Sequence, residues 1–255
     1  MLHTLTERLR SARGTLIRAA LFGLAWALLP YWLFVLVALV LFFAPFSQAR
    51  KVIAPFVVLV ALGAFVSPGI AMAVILGLLF WYILLIKGLY VIDRRTAYEI
   101  LMLALIFFLV RGFYEHLGAG FTGPAPLFFA LVIGAASGWL FASFIGNFAE
   151  ADPAGEEGRA ASGGGLRRRV AAFAVLFIIF EIMLAGLFLP LNAAYQSAVA
   201  FLLVAVVTDL AGRHLLAASG SGKESQDIDR TRVLAVSGTA FILLVIILGS
   251  AHWNL

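Results

Sequence analysis

Nine apolar runs of 15 to 24 residues follow one another along the chain, separated by short polar breaks. A membrane-crossing helix needs about 20 apolar residues, and the runs lack the strict alternation of barrel strands. We therefore predict an all-α, polytopic transmembrane bundle of about nine membrane-spanning helices. The runs are Thr15–Leu29, Tyr31–Phe46, Val52–Val66, Gly69–Ile86, Ala97–Leu117, Ala125–Phe148, Val170–Leu189, Ala193–Leu210 and Val233–Ala251.

Composition agrees with lipid as the surrounding solvent. Of the 255 residues, 64% are apolar and 12% are charged, whereas a soluble domain is about half apolar and about a quarter charged. The chain has no cysteine, which excludes disulfides, thiolate metal sites and thiol redox chemistry. We expect a multi-pass protein of the cell membrane, in particular a prokaryotic plasma membrane, with the lipid bilayer as its main partner.

The basic residues predict the orientation. If every run crosses once and the amino terminus is cytoplasmic, the cytoplasmic segments and the first turn of the first run hold 17 of the 18 Lys and Arg residues. This is the positive-inside bias, and it places the carboxyl terminus outside. The basic residues then lie beside anionic lipid headgroups, which accounts for the net charge of +5. We therefore expect no nucleic-acid partner.

Fusing residues 15–46 and 52–90 into two long kinked helices would give seven crossings instead. A run of 32 residues would measure about 48 Å, against about 30 Å of hydrocarbon, so we favour nine. The first three runs are short in that case. Three arrangements would accommodate these short runs: local thinning of the bilayer, a position behind longer neighbouring helices, or a re-entrant hairpin. Residues Leu2 to Arg13 read as an amphipathic lead-in at the interface.

A flexible linker, residues 149–166, divides the chain by composition. It is rich in Gly, Ala and acidic residues, which is typical of a flexible segment. We predict a six-helix part at 1–148, which includes the lead-in, and a three-helix part at 167–255. A second flexible loop is expected at 217–230.

Glu181 is the first candidate for chemistry. It lies 12 residues after Arg169, about 18 Å along a helix and near the bilayer midplane. A carboxylate there costs about 2.5–3.5 kcal/mol on insertion scales. It would act as a proton or cation relay, anchor a substrate, or hydrogen-bond a neighbouring helix as a neutral acid.

Arg111 is the second candidate, deep in the run from Ala97 to Leu117. Two partners are open to it: Glu115, one turn away on the same helix, and Glu181 at a similar depth. We favour Glu115. Together with Tyr114 and His116, this pair forms either a small polar site at the outer rim or an interfacial belt. A single His is weak evidence for a metal, so we expect no metal and no cofactor.

Small residues recur every four positions in the run from Ala125 to Phe148. This spacing indicates a helix-packing seam that lets two backbones approach closely. We expect it to pack within the chain, with another membrane protein as the alternative. The seam consists of Ala130, Gly134, Gly138, Ala142 and Gly146.

Three functional classes remain open. A scaffold or subunit of a membrane or envelope complex fits the sparse polar inventory best. A small-solute or ion-coupled transporter would use Glu181 and Arg111, and it requires polar groups that converge near the midplane. A membrane-embedded enzyme acting on a lipid-linked substrate is the least favoured, since only Arg111, Glu115 and His116 resemble an interfacial site, and we name no catalytic residue.

Overall fold

The computed structural model describes residues 2–44, 49–66, 69–88, 94–117, 124–149, 164–189, 191–217, 238–240 and 242–247. Apart from short turns, these residues form only helices, which confirms the all-α prediction. Eight helices follow in order, and residues 238–240 and 242–247 are also helical. The eight are α1 (Leu2–Leu28), α2 (Tyr31–Phe43), α3 (Ala49–Phe65), α4 (Ile70–Lys87), α5 (Arg94–Leu117), α6 (Ala125–Ala149), α7 (Gly164–Leu187) and α8 (Ala193–Ala217).

Five of the described helices are long and apolar enough to cross a membrane. They contain the spans Ile70–Lys87, Arg95–His116, Ala125–Asn147, Arg169–Leu187 and Ala193–Gly212. The helices Tyr31–Phe43 and Lys51–Phe65 are apolar but shorter. Each of the nine predicted runs contains helical residues, and five of those helices have the length and composition of membrane spans.

The first helix differs from the sequence prediction. Residues Leu2–Leu28 form one continuous helix of 27 residues, about 40 Å long. The sequence predicts instead a lead-in that ends near Arg13 and a separate run from Thr15. Gly14 stands between them, and a single glycine costs a helix about 1 kcal/mol, too little to break it.

The chain forms two compact units, residues 1–105 and residues 106–255, with the boundary inside α5. The predicted linker at 149–166 and the predicted loop at 217–230 fall almost entirely outside the described residues, so that division stays a prediction.

In the first unit, α2 folds back along α1. The Phe22 and Phe34 rings are 5.1 Å apart, and Arg18 donates a hydrogen bond to the carbonyl of Ala44. In a fused helix, residues 18 and 44 would be about 39 Å apart. The break falls at Pro30, which disfavours helix at the residue before it. The first half of the fused alternative is therefore excluded.

The second half of the fused alternative is excluded in the same way, because the rings of Phe56 on α3 and Phe80 on α4 are 6.2 Å apart.

The core of the first unit is a cluster of buried phenylalanines. Phe80 stacks on Phe22 at 4.2 Å, and Phe56 stacks on Phe42 at 3.9 Å. These rings hold the four helices together by dispersion and close packing.

Helices α1 and α4 run antiparallel and touch through small residues. A Cβ atom on Gly23 would lie 2.5 Å from the carbonyl oxygen of Ala73, and one on Gly77 would lie 3.0 Å from that of Ala19. Only glycine fits at such an approach. Both helices carry the small-xxx-small pattern, Ala19 with Gly23 and Ala73 with Gly77.

In the second unit, α7 packs closely along α6, and α8 lies against both. Gly212 of α8 faces the rings of Phe141 and Phe144 on α6. The carboxyl-terminal helical residues Leu244 and Ile247 pack against buried Leu191 and Val199. The unit is therefore organised around α6 and α7.

Candidate functional site

Helix α7 turns one face inward and leaves the other exposed. Val175, Ile179 and Met183 are buried, while Glu181 and Ala185 are exposed. At 100° per residue, Glu181 lies about 160° around the helix from Met183. Glu181 therefore points away from the core of its unit.

Within the described residues, Glu181 has neither a hydrogen-bond partner nor an ion-pair partner. It lies 12 residues after Arg169 and six before Leu187 in the span, about 18 Å from one end and about 9 Å from the other. Its neighbours on this face are apolar, with Phe177 and Ile178 both exposed. A carboxyl group in such a setting is costly unless a hydrogen-bond donor meets it.

The exposed face of α7 has a second regularity, which does not stand out in the sequence alone. Ala174, Ile178, Glu181 and Ala185 are spaced four, three and four residues apart, and all four are exposed. This is the spacing of residues that meet a neighbouring helix at a shallow crossing angle. Two of the four are alanines, which permit close approach. We call these four residues the α7 outer stripe.

Arg111 pairs with Glu115 on the same helix. Its Nε atom donates to Oε1 of Glu115 at 2.7 Å, and the two side chains are 54% and 49% exposed. The sequence leaves Glu115 and Glu181 open as partners of Arg111, and in the structure Arg111 pairs with Glu115. The pair lies at the last turns of the span Arg95–His116. An exposed pair of this kind contributes about 0–1 kcal/mol.

The other members of the predicted rim cluster face elsewhere. His116 donates from Nδ1 to the carbonyl of Gly112 at 2.8 Å. Tyr114 is buried and donates to the carbonyl of Met183 on α7 at 2.9 Å. Arg111 and Glu115 therefore lie together on the exposed side of α5, whereas Tyr114 points into the interface between α5 and α7.

The predicted small-residue seam packs against α7 at its centre. A Cβ on Gly134 would lie 2.9 Å from the carbonyl oxygen of Leu176, and one on Gly138 would lie 2.8 Å from that of Ala172. Ala130 is fully buried, while Ala142 and Gly146 are half-buried. The two central glycines of the seam therefore serve packing within the chain.

Polar side chains of α1 and α4 cap the short helices, which sequence reasoning also missed. Trp26 donates to the carbonyl of Gly63 near the end of α3 at 2.8 Å. Arg18 and Lys87 donate to the carbonyls of Ala44 and Phe42 at the end of α2. These carbonyls belong to final helical turns, whose acceptors lack partners within the helix. No pattern in the sequence shows which distant helix supplies each cap.

No three His, Asp or Glu side chains group as metal ligands would, as far as the described residues go. The geometry defines a helical protein with the apolar spans of a membrane protein, and its most unusual feature is an outward carboxyl group. Comparison with protein-family models, with curated proteins and with solved structures finds no match.

Proposed function

We propose that this chain is a subunit or scaffold of a membrane complex, and that the α7 outer stripe binds a transmembrane helix of another protein. The single observation that carries this proposal is the position of Glu181, exposed in the interior of an apolar span. Lipid offers a carboxyl group no donor, so the bare face is unfavourable. A partner helix with a donor side chain at that depth supplies what lipid lacks.

The partner's chemistry follows from the hydrogen-bond donor that the Glu181 carboxyl group requires. We expect a Lys, Arg, His, Asn or Gln side chain opposite Glu181, because each can donate to a carboxylate. A second copy packed symmetrically would bring Glu181 against Glu181 instead, a contact between like groups. Alanines at 174 and 185 let the partner backbone come close. A hydrogen bond between membrane helices contributes about 0.6–2 kcal/mol.

The proposed complex lies in a cell membrane, with this chain crossing nine times and its amino terminus in the cytoplasm. Support comes from the first unit, where Arg13 and Arg18 on α1 share an end with Lys87 on α4. The hydrogen bond from Trp81 to Thr15 brings these two helix ends together. Basic residues at one end of a bundle favour the cytoplasmic side.

The transporter alternative has less geometric support. It needs Glu181 and Arg111 to converge on a common path, but Arg111 is engaged with Glu115 and Glu181 faces outward. The enzyme alternative needs Arg111, Glu115 and His116 to act as one interfacial site. Arg111 and Glu115 do pair, but the described contact of the His116 ring is with the backbone carbonyl of Gly112.

Photo-crosslinking in living cells tests the proposal. A photoreactive residue placed at Ala185 should join the chain to one partner, and mass spectrometry of the joined peptide should show a transmembrane helix with a donor side chain. The same residue at Leu203, which is exposed on α8, serves as the matched control.

Glu181→Leu should reduce the Ala185 crosslink several-fold, since it removes the only polar group of the stripe. Glu181→Gln should retain more of it, because an amide still forms hydrogen bonds. A crosslink to a second copy would contradict a donor-bearing partner. Equal crosslinks from Ala185 and Leu203, or a Glu181→Leu crosslink of full strength, would contradict the role of Glu181.

A further inference from the structure

Two cations from different helices converge on the carboxyl end of α2. The guanidinium of Arg18 donates to the carbonyl of Ala44. The ammonium of Lys87 donates to the carbonyl of Phe42 and lies 4.8 Å from the centre of the Phe42 ring. We call this place the Arg18–Lys87 corner. Because both groups donate to carbonyls at the same helix end, the two basic side chains lie near each other.

The end of α2 offsets only part of this charge. A helix carboxyl terminus carries the equivalent of about half a negative charge, which is less than the charge of the Arg18 guanidinium alone. The whole first unit is also basic, because residues 1–105 contain nine Lys and Arg but three Asp and Glu. The corner therefore lies in a positive potential that attracts an anion.

Other basic residues extend this potential along the same end of the unit. Arg13 lies five residues before Arg18 on α1, and Lys51 opens α3 beside the end of α2; both are exposed. The stacked rings of Phe42 and Phe56 set α3 and α2 in this register. We call this surface, with the corner, the basic end of the first unit.

We propose that the Arg18–Lys87 corner binds the phosphate group of an anionic phospholipid. Arg18 is half-exposed, and the described contacts use one of its five N–H donors. A guanidinium binds a phosphate through two parallel N–H···O hydrogen bonds. Lys87 is only 5% exposed, so it acts as the charge behind Arg18 and not as the direct contact.

A lipid fits this corner better than a free phosphate ion does. Ile17, Leu21 and Leu24 are exposed on α1 beside and beyond Arg18. They form an apolar strip that acyl chains cover while the headgroup phosphate meets the guanidinium. An arginine within a span reaches the headgroup level by extending its side chain.

Thermal unfolding of the delipidated full chain in neutral detergent tests this proposal. Phosphatidylglycerol should raise the unfolding midpoint, since a ligand that binds only the folded state stabilises it. Phosphatidylcholine, with no net charge, should give a much smaller rise. Arg18→Gln should lose more than half of the phosphatidylglycerol shift. Arg13→Gln removes the same charge from the same helix but away from the corner, and should lose a much smaller part of the shift.

Arg18→Lys covers the case in which Arg18→Gln does not fold. It keeps the charge and the cap on α2 but loses the paired donors, so its affinity for phosphatidylglycerol should fall several-fold. If Arg13→Gln and Arg18→Gln lose equal parts of the phosphatidylglycerol shift, the lipid binds a diffuse basic surface and not the corner, which would contradict the proposal. Inorganic phosphate that reproduces the whole shift would show an ion site and contradict the lipid.

Discussion

The hydroxyl of Tyr114 donates to the carbonyl of Met183 at 2.9 Å and lies directly against Gly186, where a Cβ atom would collide with it. This contact joins the end of α5 to α7 inside the second unit. Tyr114 is 1% exposed, so its hydroxyl depends on this one acceptor and on the space that glycine leaves.

Gly186→Ala should therefore destabilise the second unit by about 1–3 kcal/mol, the usual cost of overpacking a close contact. Tyr114→Phe removes the hydroxyl and should recover part of that loss in the double variant. Gly112→Ala, where a Cβ meets nothing within 4 Å, is the control and should be neutral or slightly stabilising. Thermal unfolding in lipid nanodiscs measures all four. Purely additive effects of Gly186→Ala and Tyr114→Phe would contradict the contact.

The close approach of α6 and α7 leads to a second prediction. Gly138→Leu should disrupt their packing, because a Cβ would already lie 2.8 Å from the backbone carbonyl of Ala172. Ala135→Leu is the matched control, since Ala135 lies on the exposed side of the same helix. The folded fraction, measured by fluorescence-detected size-exclusion chromatography, should fall sharply for the first variant only. A well-folded Gly138→Leu protein would mean that the two helices are further apart.

The cap on α3 leads to a third prediction. Trp26→Phe removes the hydrogen bond to the carbonyl of Gly63 and leaves that buried acceptor without its donor, which costs about 1–3 kcal/mol. Trp32→Phe changes the same residue type where the side chain is 64% exposed, and should have almost no effect. Chemical unfolding in mixed micelles compares the two. Equal losses would show that the indole hydrogen bond adds little.

The Arg111–Glu115 pair should contribute little to stability, because both side chains are about half exposed. We expect Glu115→Gln to cost about 1 kcal/mol or less. The exchange of charges, Arg111→Glu with Glu115→Arg, should restore wild-type stability within the same range. If Glu115→Gln instead costs more than about 3 kcal/mol, the pair is buried from water and headgroups.

Features that depend on neighbouring residues in the chain could be read from the sequence. Pro30 separates α1 from α2, and Glu115 is one turn from Arg111, so both outcomes follow from local geometry. The four-residue spacing of Gly134 and Gly138 likewise shows a seam. The same spacing occurs at Ala19 and Gly23, but among so many apolar residues it does not stand out in the sequence.

Features that depend on which helices are neighbours could not be read in this way. Tyr114 resembles an interfacial tyrosine in the sequence, yet α7 lies beside it, and the carbonyl of Met183 accepts a hydrogen bond from its hydroxyl. Lys87 resembles a loop cation, yet it caps α2, whose end is 45 residues away in the chain. The outward direction of Glu181 depends on the side of α7 that α6 covers. Helical periodicity gives the relative faces but not which one is buried.

Accessibility of the α7 outer stripe in native membranes tests the central claim most directly. The chain has no cysteine, so a spin label at Ala174→Cys, Ile178→Cys or Ala185→Cys occupies a single position of the chain, and membranes with the cysteine-free chain give the signal to subtract. Oxygen reports contact with lipid, and a water-soluble nickel chelate reports contact with water. We predict that both reagents collide rarely with these labels in native membranes, and that oxygen collisions rise several-fold once the chain is purified alone into nanodiscs. Frequent oxygen collisions already in native membranes would show a face bare to lipid, frequent nickel collisions would show a water-filled path, and either result would contradict a bound partner helix.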